Sequence, residues 1–387
     1  MPVISSLLLS TMVSTHLVSA LILAFTSFLF VQPHLSSGRA NPIKTCNFDK
    51  IYQLGDSLSD TGNLIRESQT GTSSAFASLP YGETYFEKAT GRCSNGLLMI
   101  DYIAMAADLP FLVPYKDNDG DFRHGVNFAV AGSTALPADN LAAKNIATML
   151  TKSSLGVQLD WMSTHFSSMC TRERDCIEKL KNSLFMVGEI GGNDYNYALL
   201  EGKTMDEVKN IVADVVRAIS NAVRRVIDYG AARVVVPGNI PIGCLPLYLT
   251  AFQSNASAAY DEDNCLTKLN DLATYHNHQL KEAIRELKKD YPNTVIVYGD
   301  YYRAFQRLFR NAESLGFDGA SLQKACCGTG GDYNFNLAEM CGASGVPVCR
   351  NPNEHISWDG VHLTQEAYKI MSEWLLSDIV PKLHCPI

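Results

Sequence analysis

Five short runs of almost unbroken apolar residues constrain this chain more than any other feature. They cover residues 51–54, 127–131, 184–187, 233–236 and 294–298, and the first four stop at Gly55, Gly132, Gly188 and Pro237-Gly238. A strand with one solvated face alternates apolar and polar residues, whereas a run apolar at nearly every position suits a strand buried on both faces. That burial requires a parallel sheet covered by helices. Helical periodicity fills the gaps. In residues 204–229, Met205, Val208, Ile211, Val212, Val215, Ile219, Val223 and Val226 recur mostly at spacings of three and four, and Gly230 follows as a stop. Residues 263–290 and 364–383 read as further helices, with Thr364 as an N-cap. Strands alternating with helices predict an α/β fold, a three-layer α/β/α sandwich around a central parallel sheet of about five strands.

The N-terminus differs from the rest. Residues 3–31 are nearly all apolar, Ser or Thr, with His16 the only titratable side chain, and Gly38-Arg39-Ala40 offers small residues where a signal peptidase cuts. Residues 1–40 are therefore expected to be a signal peptide and residues 41–387 a single domain. No Lys or Arg precedes the apolar run, and an uncleaved membrane anchor is the alternative. With a leader removed, no stable membrane insertion is expected, and the destination is the secretory pathway: the extracellular space, apoplast or vacuole.

The eleven cysteines all follow the proposed cleavage point. In an oxidising compartment most would pair, and the odd count leaves at least one thiol free. Cys170 with Cys176, and Cys341 with Cys349, are close enough in sequence to pair locally. Cys326, Cys327, Cys341 and Cys349 match no usual zinc spacing, so no metal is expected. A stapled, Gly- and Cys-rich loop is expected over residues 311–352. Asn255-Ala256-Ser257 makes Asn255 a candidate glycosylation site. The net charge of -8 and the absence of a basic stripe exclude nucleic acid as a partner. A monomer is expected, with a small molecule rather than a nucleic acid as its partner.

The chemistry-bearing residues stand at strand ends. Gly55-Asp56-Ser57-Leu58-Ser59-Asp60-Thr61-Gly62-Asn63 begins where the first run stops. Open α/β sheets bind ligands at that edge, and a Ser there is a candidate nucleophile once a base is near. Alone, Gly-Asp-Ser is also an ordinary turn. Trp358-Asp359-Gly360-Val361-His362 supplies the base and its orienter, since an Asp three residues before a His can fold back onto the imidazole. Gly132, and Asn193 within Gly191-Gly192-Asn193-Asp194-Tyr195, follow the second and third runs and are candidate oxyanion donors with the Ser57 N–H. Asp56 and Asp60 read as residues holding the loop rather than as a glycosidase pair. His124, His165, His276, His278 and His355 read as surface or structural, and Tyr195 and Tyr197 as packing.

These residues identify a resemblance. Ser57, Gly132, Asn193 and His362 match, in order, the four blocks of the GDSL esterase/lipase family, also called SGNH hydrolases, and the tetrapeptide Gly55-Asp56-Ser57-Leu58 is present literally. The resemblance extends over nearly all residues from 48 onward. It implies a flavodoxin-like fold, a Ser57-His362-Asp359 triad, an oxyanion hole of Ser57, Gly132 and Asn193, and neither metal nor cofactor. Pro80-Tyr81-Gly82, Gly91-Arg92-Cys93-Ser94-Asn95-Gly96, Pro237 through Cys244, and Cys326-Cys327-Gly328 resemble the plant branch. Gln53-Leu54 and Leu97 depart from it, where Phe and Arg are usual. Residues 51–66 and 122–128 are similar to plant esterases that deacetylate indole alkaloids, which implies an acetyl ester of a plant specialised metabolite as substrate. The rivals are an acyltransferase on the same site, a lipase on long-chain esters, with residues 68–79 as its one candidate flap, and a non-catalytic secreted binding protein.

Overall fold

The computed structural model describes residues 42–67 and 69–385; the proposed leader and Ser68 lie outside them. Strands β1 (Lys50–Leu54), β2 (Gly125–Asn127), β3 (Ser183–Val187), β4 (Arg233–Pro237) and β5 (Val295–Gly299) form one sheet in the order β2-β1-β3-β4-β5. Every neighbouring pair is parallel. Parallel neighbours need crossovers, and the helices that provide them bury both faces of the sheet. All five residues of β3 are buried accordingly.

The longer helices are α1 (Met99–Ala106), α2 (Leu155–Met169), α3 (Glu173–Leu180), α4 (Gly192–Leu200), α5 (Met205–Asp228), α6 (Thr267–Asp290), α7 (Tyr301–Arg310) and α8 (Gln365–Ile379). The apolar positions of α5 that recur in sequence are those it buries, from Val208 through Val226. Thr204 caps it: its side chain accepts from the Glu207 N–H, while the Glu207 carboxylate accepts from the Thr204 N–H. Thr364 caps α8 by accepting from the Ala367 N–H. That helix stops at Ile379, two residues before Pro381, which lacks an N–H to continue it, so the expected 364–383 helix divides. The start of α6 is also later than residue 263. Asp261 accepts from the Asp263 and Cys265 N–H groups and holds that segment in a turn.

The second strand lies upstream of the expected 127–131. Beyond Asn127, side chains join the backbone bonds. Asn63 Nδ2 donates to the carbonyls of Asn127 and Ala129, while Gln158 accepts from the Gly55 N–H and donates back to its carbonyl. The contact with β1 nevertheless runs on past the strand, since the Phe128 N–H donates to the Gln53 carbonyl and the Val130 N–H to the Gly55 carbonyl, which keeps residues 128–131 beside the loop that carries Ser57.

Five disulfides join Cys46–Cys385, Cys170–Cys176, Cys244–Cys265, Cys326–Cys349 and Cys327–Cys341. The expected Cys341–Cys349 pair is not formed. Cys327 and Val348 make an antiparallel bridge, and the Cys349 N–H donates to the Cys326 carbonyl, so Cys349 faces Cys326. Cys93 is the free cysteine.

Candidate active site

The order β2-β1-β3 places a reversal of winding between β1 and β3, and open α/β sheets bind ligands at the carboxyl ends of such strands. Ser57 stands in the turn after β1, half-buried, and its hydroxyl has no hydrogen-bond partner among the described residues. The turn is set by its neighbours. Asp56 accepts from the Leu58 N–H, and the Asp56 N–H donates to the Glu189 carbonyl. Asp60 is wholly buried and accepts from the backbone N–H groups of Gly62, Asn63, Leu64 and Ala131. Both aspartates therefore hold the loop, as their positions beside Ser57 suggest.

Gly132 lies on the loop after β2 at φ 81°. A side chain there would be strained, and an added Cβ would come within 2.7 Å of the Leu150 Cβ. Asn193 opens α4. Its Nδ2 donates to the Ser133 carbonyl at 2.9 Å and points toward Asp56 Oδ2 at 3.4 Å. Asp194 ties α4 to the same loop by accepting from Ala135 and Leu136 N–H groups. Three strand-end loops are thus knotted together, with Ser57, Gly132 and Asn193 on them.

His362 arrives from the other end of the chain. The Trp358 N–H donates to the His362 carbonyl, closing a tight turn through Gly360 at φ 94°, where Phe335 leaves no room for a Cβ. Inside this turn His362 Nδ1 lies 2.7 Å from Asp359 Oδ2, and Asp359 Oδ1 accepts from the Val361 and His362 N–H groups. Donation from Nδ1 leaves Nε2 as the basic nitrogen, without a hydrogen-bond partner among the described residues. Asp359 is only 1% exposed. Burial works to raise its pKa, yet the charge and hydrogen bonds of His362, with the two N–H groups, hold it below the usual carboxylate range. His362 also acts on Asp56 through its charge, which links the two ends of the chain at one site.

The site holds a second set of acids. Burial pushes Asp56 up to about 6 and Asp194 up to about 7. Burial and the adjacent Asp56 carboxylate push Glu189 well above the carboxylate range, so it keeps its proton and bonds to Asp56. Burial likewise pushes the Cys93 thiol up, which removes it as a nucleophile.

Several residues at the site carry no local sequence signal. Tyr81 donates to Asp359, Tyr197 donates to the Gly132 carbonyl, and the Phe76 ring stands edge-on to His362 at 5.8 Å. Phe76 belongs to the proposed flap. Gln53, one of the departures from the family pattern, lies inside the sheet and donates to the Gly188 carbonyl; Leu97 is also buried. His165 and His276 are buried among aromatic and helical neighbours, His124 and His278 are exposed, and His355 is half-buried. A groove of about 720 Å³ beside β5, lined by Val295, Val297, Arg303 and Trp374 among others, contains none of the candidate residues. Cys326, Cys327, Cys341 and Cys349 are all consumed by disulfides, so none offers a thiolate to a metal.

The model of the GDSL-like lipase/acylhydrolase family matches residues 51–375. Acetylajmalan esterase 1 of Rauvolfia serpentina is 46% identical over 340 residues, which cover 88% of this chain and 89% of that protein. Sinapine esterase of Brassica napus is 43% identical over 333 residues, or 85% of each chain. A GDSL esterase/lipase of Arabidopsis thaliana is 42% identical over 356 residues, covering 91% of this chain and 92% of its own. The chain belongs to the GDSL lipase/acylhydrolase family, in the company of its plant esterases, and is a carboxylic ester hydrolase.

Proposed function

We propose that residues 41–387 act as one monomeric hydrolase domain in which Ser57 is the nucleophile, His362 the general base and Asp359 its orienter. Ser57 Oγ attacks the ester carbonyl while His362 Nε2 takes the hydroxyl proton. The oxyanion is held by the Ser57 and Gly132 N–H groups and the Asn193 amide, whose second N–H is only loosely engaged at 3.4 Å. His362 then returns the proton to the leaving alcohol. A water attacks the acyl-serine with His362 again as base, and the acid departs. The observation that supports this reading is the Asp359–His362 pair, whose imidazole acts by its charge on Asp56, the neighbour of Ser57.

The substrate we propose is a short-chain, acetyl ester of a plant specialised metabolite such as an indole alkaloid. The similarity to acetylajmalan esterases supports it. The five disulfides support passage through the secretory pathway. Among the described residues no helix is long and apolar enough to cross a membrane. Asn255 is exposed, as a glycan acceptor must be. Hydrolysis of p-nitrophenyl acetate, butyrate and palmitate tests the substrate class: acetate is expected to be fastest and palmitate inert, and comparable rates on all three would overturn the short-acyl reading.

A further inference from the structure

The acid of the proposed triad has a fourth hydrogen-bond donor, contributed from a distant part of the chain. Tyr81 Oη donates to Asp359 Oδ2 at 2.8 Å, the same oxygen that accepts from His362 Nδ1. The other oxygen is filled by the Val361 and His362 N–H groups, at 3.0 and 2.7 Å. Tyr81 and Asp359 are each only 1% exposed, so no solvent replaces a lost donor. Burial, then the charge of Asp359, push the phenol's pKa well up, which keeps it protonated and a donor.

The ring is held in place for this contact. Tyr81 packs edge-on against Phe76 and Trp358, in one apolar cluster with Cys326, Cys327 and Cys341. The Cys326 and Cys327 N–H groups donate to the carbonyls of Ser357 and Trp358, immediately before Asp359. The stapled loop thus fixes the phenol and the carboxylate against each other.

We infer that Tyr81 is a positioning residue of the hydrolytic machinery, which fixes the rotation of the Asp359 carboxylate and moderates its hold on His362. The inference rests on the triad reading above. Two donors on one oxygen define where its remaining electron density points, and the phenol takes part of the charge that would otherwise fall on the imidazole. The other titratable groups that act here are the Cys93 thiol and the Tyr368 phenol, which feel the Asp359 charge, and Asp56, which feels that of His362.

The test is Tyr81→Phe, which keeps the ring and removes only the hydroxyl, measured beside wild type and Ser57→Ala across pH. Tyr81→Phe is expected to lower kcat by about three- to tenfold, the scale of one lost hydrogen bond, with KM nearly unchanged. It is also expected to move the acid limb of the kcat/KM profile to higher pH, because a carboxylate relieved of the phenol holds the imidazolium more tightly. A variant that folds and matches wild type in both rate and acid limb, with Ser57→Ala inactive, overturns the role of Tyr81 alone. If Ser57→Ala keeps the wild-type rate, the triad reading falls and the inference falls with it.

Discussion

Tyr197 on α4 donates its hydroxyl to the carbonyl of Gly132 at 2.7 Å, so the helix that carries Asn193 also clamps the loop that carries the Gly132 N–H. Two proposed oxyanion donors are thereby set by one rigid element. Tyr197→Phe frees the loop without emptying the core. It is expected to lower kcat by roughly tenfold or less and to leave KM within about twofold, since an interaction that matters mainly in the transition state appears in kcat. Steady-state kinetics on p-nitrophenyl acetate reads this directly, and a change confined to KM would contradict it.

Leu150 is 40% exposed and lies against Gly132. Its side chain forms part of the wall beside the proposed oxyanion site. Leu150→Ala removes most of that wall at little cost in stability, because the residue is not in the core. The butyrate-to-acetate ratio of kcat/KM is expected to rise by about five- to tenfold, the scale of one or two methylenes admitted to a pocket. An unchanged ratio would mean the acyl group lies elsewhere.

Glu189 and Asp56 are buried acids whose pKa values are raised, Asp56 to about 6 and Glu189 further. An acid whose folded-state pKa lies above its unfolded value binds more protons when folded. The contribution is least unfavourable below the unfolded pKa, near 4, and stability is lost as pH rises toward the folded values. Glu189→Gln keeps a donor for Asp56 and cannot ionise. Its stability is therefore expected to fall less between pH 5 and pH 8 than that of wild type, with activity largely retained. Urea unfolding at the two pH values measures the difference, and equal slopes would contradict it.

The Cys46–Cys385 disulfide joins residues 339 positions apart and lies at the opposite end of β1 from Ser57. Replacing both cysteines by Ser enlarges the unfolded ensemble and is expected to cost on the order of 4 kcal/mol of stability. Because the link is remote from the site, kcat at 25 °C should stay within about twofold of wild type. Thermal unfolding and kinetics on the same preparation separate the two effects.

The sheet was legible because strands buried on both faces leave an unmistakable apolar record, as in residues 184–187 and 233–236. The exception is instructive. Residues 128–131 are as apolar as any strand, and Phe128 and Val130 still bond to the Gln53 and Gly55 backbone, but the Asn63 and Gln158 side chains take the Ala129 carbonyl and the Gly55 N–H. Such a substitution depends on tertiary contact and leaves no periodicity. Asp359 and His362 were visible because their contact is local, three residues apart. Tyr81 meets Asp359 across 278 residues, and Tyr197 meets Gly132 across 65, so only the folded chain reveals them. The disulfide partners of Cys341 and Cys349 are hidden in the sequence for the same reason: proximity along the chain gives way to the bridge between Cys327 and Val348.

The most direct measurement is kcat for p-nitrophenyl acetate with Ser57→Ala beside wild type. Removal of the nucleophile is expected to lower kcat by about 10⁴-fold or more while the variant unfolds at the wild-type temperature or above. A folded Ser57→Ala that retains activity within about tenfold of wild type would contradict the assignment of Ser57 as nucleophile, since the oxyanion hole and binding alone leave only a small remnant of the rate.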